Sequence, residues 1–312
     1  MDISELDTIV FSGGGVRGFS YLGVLLAVEV LFKVTVHSHF KKFAGTSVGG
    51  LFAMLCVLGI KPNECLSAFN EIGLGAIFTK DPTWLLSNYA LNSGEVLEKL
   101  VLKLLELGGC SKTTTFLDLY KKTGKHLIVT VIDILTSSTL YLDHTNEGLD
   151  MPVVKGLMAT MAVPPLFPPI AYKTATKSLL LIDGGLLDDF PIASWPEKST
   201  LGVRANWYVD PTNPLSDIST YYVRILSIMQ LSMHTMITNV AKKYHNNIYI
   251  DLGPIKIDAS DINVRDLIFT GYRSTISRMS KTENDQAVED RPMKYISSEE
   301  PKRPNYFNKF TM

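Results

Sequence analysis

Cysteine is scarce in this 312-residue chain: Cys56, Cys65 and Cys110 are the whole complement, and no two form a C-x-x-C pair. A disulfide framework and a cysteine-built zinc site are therefore excluded as organising devices, and a reducing, cytoplasmic setting fits. Cys56 lies in an apolar run and is expected to pack rather than react. Charge of one sign is also lacking. Thirty basic residues offset thirty-one acidic ones, for a net charge of −1, so nothing suggests the concentrated positive surface of a nucleic-acid partner. The longest apolar runs, YLGVLLAVEVLF (21–32) and GGLFAMLCVLGI (49–60), fall short of the roughly 20 residues that span a bilayer. Peripheral contact with lipid stays open. The opening stretch MDISELDTIVFSGGG carries acids where a secretory leader would carry bases. No internal repeat or low-complexity tract occurs.

What remains is a chain that is 46% hydrophobic, enough for a large core. DTIVFSGGG followed by VRGFSYLGVLLAVEVLF reads as an apolar strand, a glycine turn and an apolar helix; KKFAG and SVGGLFAMLCVLG repeat the pattern. These strands lack polar alternation, as parallel strands covered on both faces should. Residues 62–108 read as mainly helical, with Ser93 as a cap and Leu97, Leu100, Val101, Leu104 and Leu105 as one apolar face. Strand character returns at KHLIVTVIDI, STLYLDH and SLLLID, with a short helix in MPVVKGLMATMAVPP between them. A long helix is expected over 221–244, its Ile225, Met229, Met233, Met236 and Val240 taken as core filler rather than a lipid-facing stripe. NIYIDLG and VRDLIFTGYRSTISRM supply a last strand and helix. The composition divides the chain into one domain over 1–281, with a C-terminal helical extension, and a polar tail over 282–312.

Three glycine turns carry the chemistry. SGGGVRG (12–18) can expose several backbone N–H groups at a helix start, a nest for a phosphate or an oxyanion. Gly13, Gly15 and Gly18 meet the G-x-G-x-x-G spacing of a dinucleotide site, but no acid stands about twenty residues onward. The second turn, GTSVGG (45–50), sets Ser47 between a strand end and a helix start. There the helix N-terminus and the Val48 N–H could serve a nucleophile and its oxyanion. Gly49 would let that helix pack close to backbone.

A serine alkoxide needs a base. None of the six histidines sits in a catalytic phrase, and His144, after a strand, is the best placed of them. Asp183 is the stronger candidate, because it ends SLLLID at what reads as the C-terminal edge of a parallel sheet. Asp133, Asp188 and Asp189 compete with it. The acids of DGGLLDD lack the order of a calcium loop and bring no histidine, so no metal is expected.

Taken together, GGGVRG (13–18), GTSVGG (45–50), ATMAVPPLFPP (159–169) and DGGLLDDFP (183–191) resemble the patatin-like phospholipase family, over about 180 residues. The resemblance implies a three-layer α/β/α fold around a mostly parallel sheet, and a lipid acyl hydrolase needing no cofactor. It makes Ser47 the nucleophile and Asp183 its partner in a Ser-Asp dyad, and puts the oxyanion site at Gly13, Gly14, Gly15 and Val16. Arg17 takes the family's arginine position, while Gly18, Gly45, Gly184 and Gly185 shape the turns. Asp189 stands where the family commonly has asparagine. Lipid or phospholipid is the implied substrate, and LFPPIAY with the 62–105 region the implied acyl groove. A transacylase or neutral acylglycerol lipase using the same serine, and a lipid- or partner-binding protein without turnover, are the alternatives.

Overall fold

All four residues of β1 (Thr8–Phe11) are buried, and their side chains part to two different cores. Ile9 and Phe11 enter a large cluster on one sheet face, while Val10 joins a smaller one on the other. A strand with water on neither side has no use for polar alternation. The computed structural model describes residues 2–279 except 82, 147–148, 210–220, 222–223, 226–227, 230–235, 238 and 256–262.

After β1 the chain runs through α1 (Phe19–Phe32), α2 (Val36–His39), β2 (Lys42–Thr46) and α3 (Val48–Leu58). The helical stretch follows as α4 (Pro62–Ile72), α5 (Leu74–Ile77), α6 (Trp84–Asn88) and α7 (Glu95–Leu107), then α8 (Phe116–Thr123). Next come β3 (His126–Asp133), β4 (Ser138–Leu142), α9 (Val153–Thr160), β5 (Ile170–Lys173) and β6 (Ser178–Asp183). β7 (Thr200–Val209), β8 (Ile248–Ile255) and α10 (Val264–Met279) complete the described elements. The sheet order is β5-β6-β3-β2-β1-β7-β8, with β4 also on β3. The five strands from β3 to β8 in that order are parallel; β4 and β6 run against β3. Helices cover both faces, giving the α/β/α arrangement.

Gly15–Phe32 is long and apolar enough to cross a membrane when the turn before α1 is counted, contrary to the reading of 21–32 alone. Over half of it is buried, because α1 is sandwiched between the sheet core and α10. That position explains its all-round apolarity. α10 comes very close: a side chain at Gly23 would strike the Ile268 carbonyl, and one at Gly271 the Ser20 carbonyl.

Three sequence expectations change. Gly94, not Ser93, caps α7, although the Ser93 hydroxyl still accepts the Glu95 N–H at 3.3 Å. The five residues named for the apolar face of α7, Leu97, Leu100, Val101, Leu104 and Leu105, are all buried as expected. Met229 and Met236 are exposed rather than core filler, as are Ile225 and Val240. Tyr221, Arg224, Ile225, Ile228, Met229, Met236, Ile237, Asn239, Val240 and Ala241 are helical. Of the helix expected over 221–244, residues 242–244 are described and are not helical, and the remainder, Met233 and His234 included, lies outside the described residues, as do the 281 boundary and the 282–312 tail. Finally, β6 is antiparallel, so Asp183 does not end a parallel strand.

Candidate active site

A strand has two edges. β4 occupies one edge of β3, pairing with Val129 to Asp133. On the other, β2 pairs with His126 to Thr130 and β6 with Val131 to Asp133, from opposite directions. Thr46 is opposite Thr130 and Asp183 is opposite Val131. The two strand ends therefore meet head to head, and Ser47, one residue beyond Thr46, arrives beside Asp183.

Ser47 has φ 56 and ψ −130, a strained conformation for a residue with a side chain. It is the last residue before α3, yet its hydroxyl makes no capping bond. The backbone is held instead: Ser47 N–H donates to Thr160 Oγ1 at 2.8 Å, and Thr160 Oγ1 donates to the Thr130 carbonyl at 2.6 Å. The predicted glycines account for the tight approach. A side chain at Gly45 would meet Gly49, one at Gly49 the Phe11 and Ser12 carbonyls, and one at Gly184 the Thr130 carbonyl.

Asp183 is buried at 3% exposure. Its Oδ1 accepts the Gly185 N–H at 2.7 Å, while Oδ2 is buried without a hydrogen-bond partner among the described residues. Burial pushes its pKa up to about 7; the Ser47 hydroxyl and Gly185 amide oppose the rise, and the charge of Asp189 adds to it. Ser47 and Asp183 are thus adjacent without a hydrogen bond of ordinary geometry.

The rival acids have other work. Asp133 Oδ1 accepts from Leu135 N–H at 3.2 Å and Leu180 N–H at 3.1 Å, and Oδ2 accepts from Thr136 Oγ1 at 2.8 Å. Asp188 Oδ2 accepts from the Tyr141 hydroxyl at 2.8 Å. The Asp189 carboxyl rests against Gly13, leaving no room there for a side chain. His144 is no neighbour of Ser47. It stacks on Tyr120 at 3.8 Å and meets His126, the first residue of β3, at the opposite sheet edge. Four strand residues separate that level from Thr130, roughly 13 Å at ~3.3 Å each. His37, His39 and His245 precede β2 and β8, and so also lie at that far edge.

The first glycine turn lies over Ser47. The Cβ of Ser47 is 3.6 Å from the position a side chain at Gly13 would take, and Gly18 packs against the Val48 side chain. One oxyanion expectation is corrected: the Gly13 N–H donates to the Asp189 carbonyl at 2.9 Å and is not free. Gly14, Gly15 and Val16 N–H have no protein acceptor among the described hydrogen bonds, nor has Val48 N–H. Gly15 adopts φ 53 and is exposed, with open space beside it. Arg17 braces the turn through its backbone, donating to the Gly14 carbonyl at 3.1 Å and accepting from Ser20 Oγ at 2.8 Å.

Four contributors escaped sequence reasoning. Thr160 holds Ser47, as above. Tyr21 OH donates to the Ser12 carbonyl at 2.8 Å, and Ser12 Oγ donates to the Gly13 carbonyl at 2.9 Å, tying α1 to the turn. Arg204, on β7, is fully buried, 5.5 Å from the Phe190 ring centre, and its charge opposes the burial-driven rise of the Asp189 pKa to about 6. The signal for Arg204 was present: one cation inside the strand sequence LGVRAN needs a buried partner. Just before the LFPP segment, the Pro165 carbonyl accepts Leu91 N–H at 2.8 Å, and Phe167 within it lies beside Gly94. A separate cavity of about 520 Å³ lies among Leu22, Leu25, Cys56, Ile60 and Leu66, by the end of α3 away from Ser47.

Residues 9–194 match the family model described as Patatin-like phospholipase. The chain is 31% identical over 196 residues to the uncharacterized protein YqhO of Bacillus subtilis (strain 168), covering 59% of this chain and 64% of that one. It is 28% identical over 191 residues to the probable lipid hydrolase 463L of Invertebrate iridescent virus 6, covering 59% and 61%. The matches thus span less than two thirds of either relative. A cGAMP-activated phospholipase of Escherichia coli (strain TW11681) is 23% identical over 215 residues, covering 61% of this chain and 56% of that one. Among solved structures, VipD from Legionella pneumophila superposes with a TM-score of 0.52 at 17% identity, over 88% of this chain and 66% of that one, a likeness of fold.

Proposed function

The chain belongs to the patatin-like phospholipase family, and from that premise we propose that it is a lipid acyl hydrolase cleaving carboxylic esters of phospholipids with Ser47 and Asp183. The reading is supported above all by the head-on meeting of β2 and β6, which leaves a strained serine beside a buried carboxyl, one oxygen of which has no hydrogen-bond partner among the described residues.

The chemistry follows in two halves. Asp183 takes the hydroxyl proton of Ser47 as Oγ attacks the ester carbonyl, and the carbonyl oxygen gains the negative charge. The free N–H groups of Gly14, Gly15 and Val16, together with Val48 at the start of α3, receive that oxyanion. Collapse expels the lysophospholipid alkoxide, which takes the proton from Asp183 and leaves an acyl-Ser47 ester. Water then attacks with Asp183 again as base, freeing the fatty acid. The chain that follows the Ala162 carbonyl, which accepts Asp183 N–H at 3.1 Å, leads into the apolar LFPP segment, and that segment would receive the acyl chain.

Mass spectrometry of products from mixed lipids, run beside Ser47→Ala, tests the reading. Fatty acid and lysophospholipid are expected from the native protein and neither from the variant. Acyl transfer to an added acceptor in place of water would assign a transacylase, and cleavage of acylglycerols alone a neutral lipase. Undiminished release by the variant would remove the serine from the mechanism.

A further inference from the structure

The β3–β4 turn and the β5–β6 hairpin both project past the sheet edge at which Ser47 sits. Ile134 is 41% exposed and Leu135 60%, side by side immediately after β3 ends. Ile134 is three residues beyond Val131, so it stands ~10 Å outward of the level of Asp183. This turn is not a loose loop. The Asp133 carboxylate binds Leu135 N–H and Thr136 Oγ1 within it, and reaches across to Leu180 N–H on β6. Ile134 N–H donates to the Leu180 carbonyl at 3.0 Å, so the turn and the hairpin form one braced rim.

The hairpin continues outward from Leu180. Lys173 is opposite Ser178 and the Thr174 N–H closes the turn on the Lys177 carbonyl at 2.8 Å. Both lysines are exposed. Neither 134–138, ILTSS, nor 173–178, KTATKS, contains an acid. Leu187, 40% exposed, adds a third aliphatic side chain in the turn that follows Asp183. Single exposed aliphatics are ordinary on a protein surface. Here Ile134 and Leu135 share a hydrogen-bonded edge with the lysine-bearing hairpin, outward of the level of Asp183.

We propose that this edge docks the protein on an anionic lipid bilayer, with Ile134 and Leu135 entering the acyl boundary and Lys173 and Lys177 meeting phosphate headgroups. The occupant follows from chemistry. Apolar tips with a basic flank match the bilayer interface, where aliphatic groups leave water and cations meet negative surface potential. A phospholipid ester is held in such a surface, so a hydrolase must bring its serine there; in this respect the inference rests on the proposed function.

Binding is measured by co-sedimentation of full-length Ser47→Ala protein with phosphatidylcholine vesicles, with and without phosphatidylglycerol, so that turnover does not alter the surface. Strong binding is expected only with phosphatidylglycerol. Ile134→Ser with Leu135→Ser, and separately Lys173→Glu with Lys177→Glu, should each weaken it about tenfold or more. In an otherwise native chain, both pairs should cut hydrolysis of vesicle phospholipid and leave hydrolysis of a water-soluble short-chain ester unchanged. Unaltered vesicle binding by both pairs, or no vesicle binding by the parent, overturns the docking edge, including in favour of a protein partner at that surface. Absence of Ser47-dependent ester hydrolysis would instead overturn the proposed function, whatever the vesicles show.

Discussion

Ser47 and Asp183 reach each other along one edge of β3, from strands running in opposite directions. Thr46, the residue before Ser47, and Asp183 stand opposite consecutive residues, Thr130 and Val131. A shift of either strand by one residue would turn its side chains to the other sheet face and separate the pair. Register therefore carries the site, and the consequences can be measured.

The strain at Ser47 separates activity from stability. Ser47→Ala and Ser47→Gly should both lose about 10³-fold or more of ester hydrolysis. Glycine tolerates φ 56, so Ser47→Gly should be the more stable of the two by about 1 kcal/mol. Urea unfolding of the two variants checks the ordering; equal midpoints would mean that the elbow is not strained.

Asp183 must lose its proton to act as base, so activity should rise as pH passes through about 7. Its stability effect has the opposite sign. Between the ordinary aspartate value of 3.8 and about 7, the unfolded chain has released this proton while the folded one keeps it, so folding weakens as pH rises. Asp183→Asn should be inactive and should lose less thermal stability than the parent between pH 5 and 8. Parallel melting curves would contradict this.

Asp189 adds negative charge near Asp183 and helps to keep its pKa high. Asp189→Asn removes that charge and restores the residue common in the family. The acid limb of the kcat/KM profile should move to lower pH, with the maximal rate largely retained. A limb that stays in place would show that the two acids are not coupled.

His144→Ala should leave ester hydrolysis within about twofold of the parent, since the imidazole stacks on Tyr120 at the other sheet edge. Loss of activity in a variant with unchanged melting would transfer the base role to histidine.

Gly23→Ala should destabilise the protein by about 2–3 kcal/mol, because the new methyl group would run into the Ile268 carbonyl on α10. Thermal melting reads this directly. A neutral result would mean that α10 shifts away from α1 at little cost.

Much was legible without coordinates, for local reasons. The apolar runs of β1 to β3 follow from burial on both faces, and the five-residue apolar face of α7 from helical periodicity. Ser47, Asp183 and the glycine turns stood out because tight backbone geometry demands small residues at fixed spacings. The exposure of Met229 and Met236 was misread for the same local reason: periodicity states that a face exists, not what covers it. Only tertiary structure decided that β6 runs antiparallel, that Gly13 spends its amide on Asp189, and that Thr160 and Arg204 support the turns. Each of these joins segments far apart in the chain. Local pattern records what a residue's own backbone requires, whereas strand pairing and buried charge are settled by partners that only the folded chain brings together.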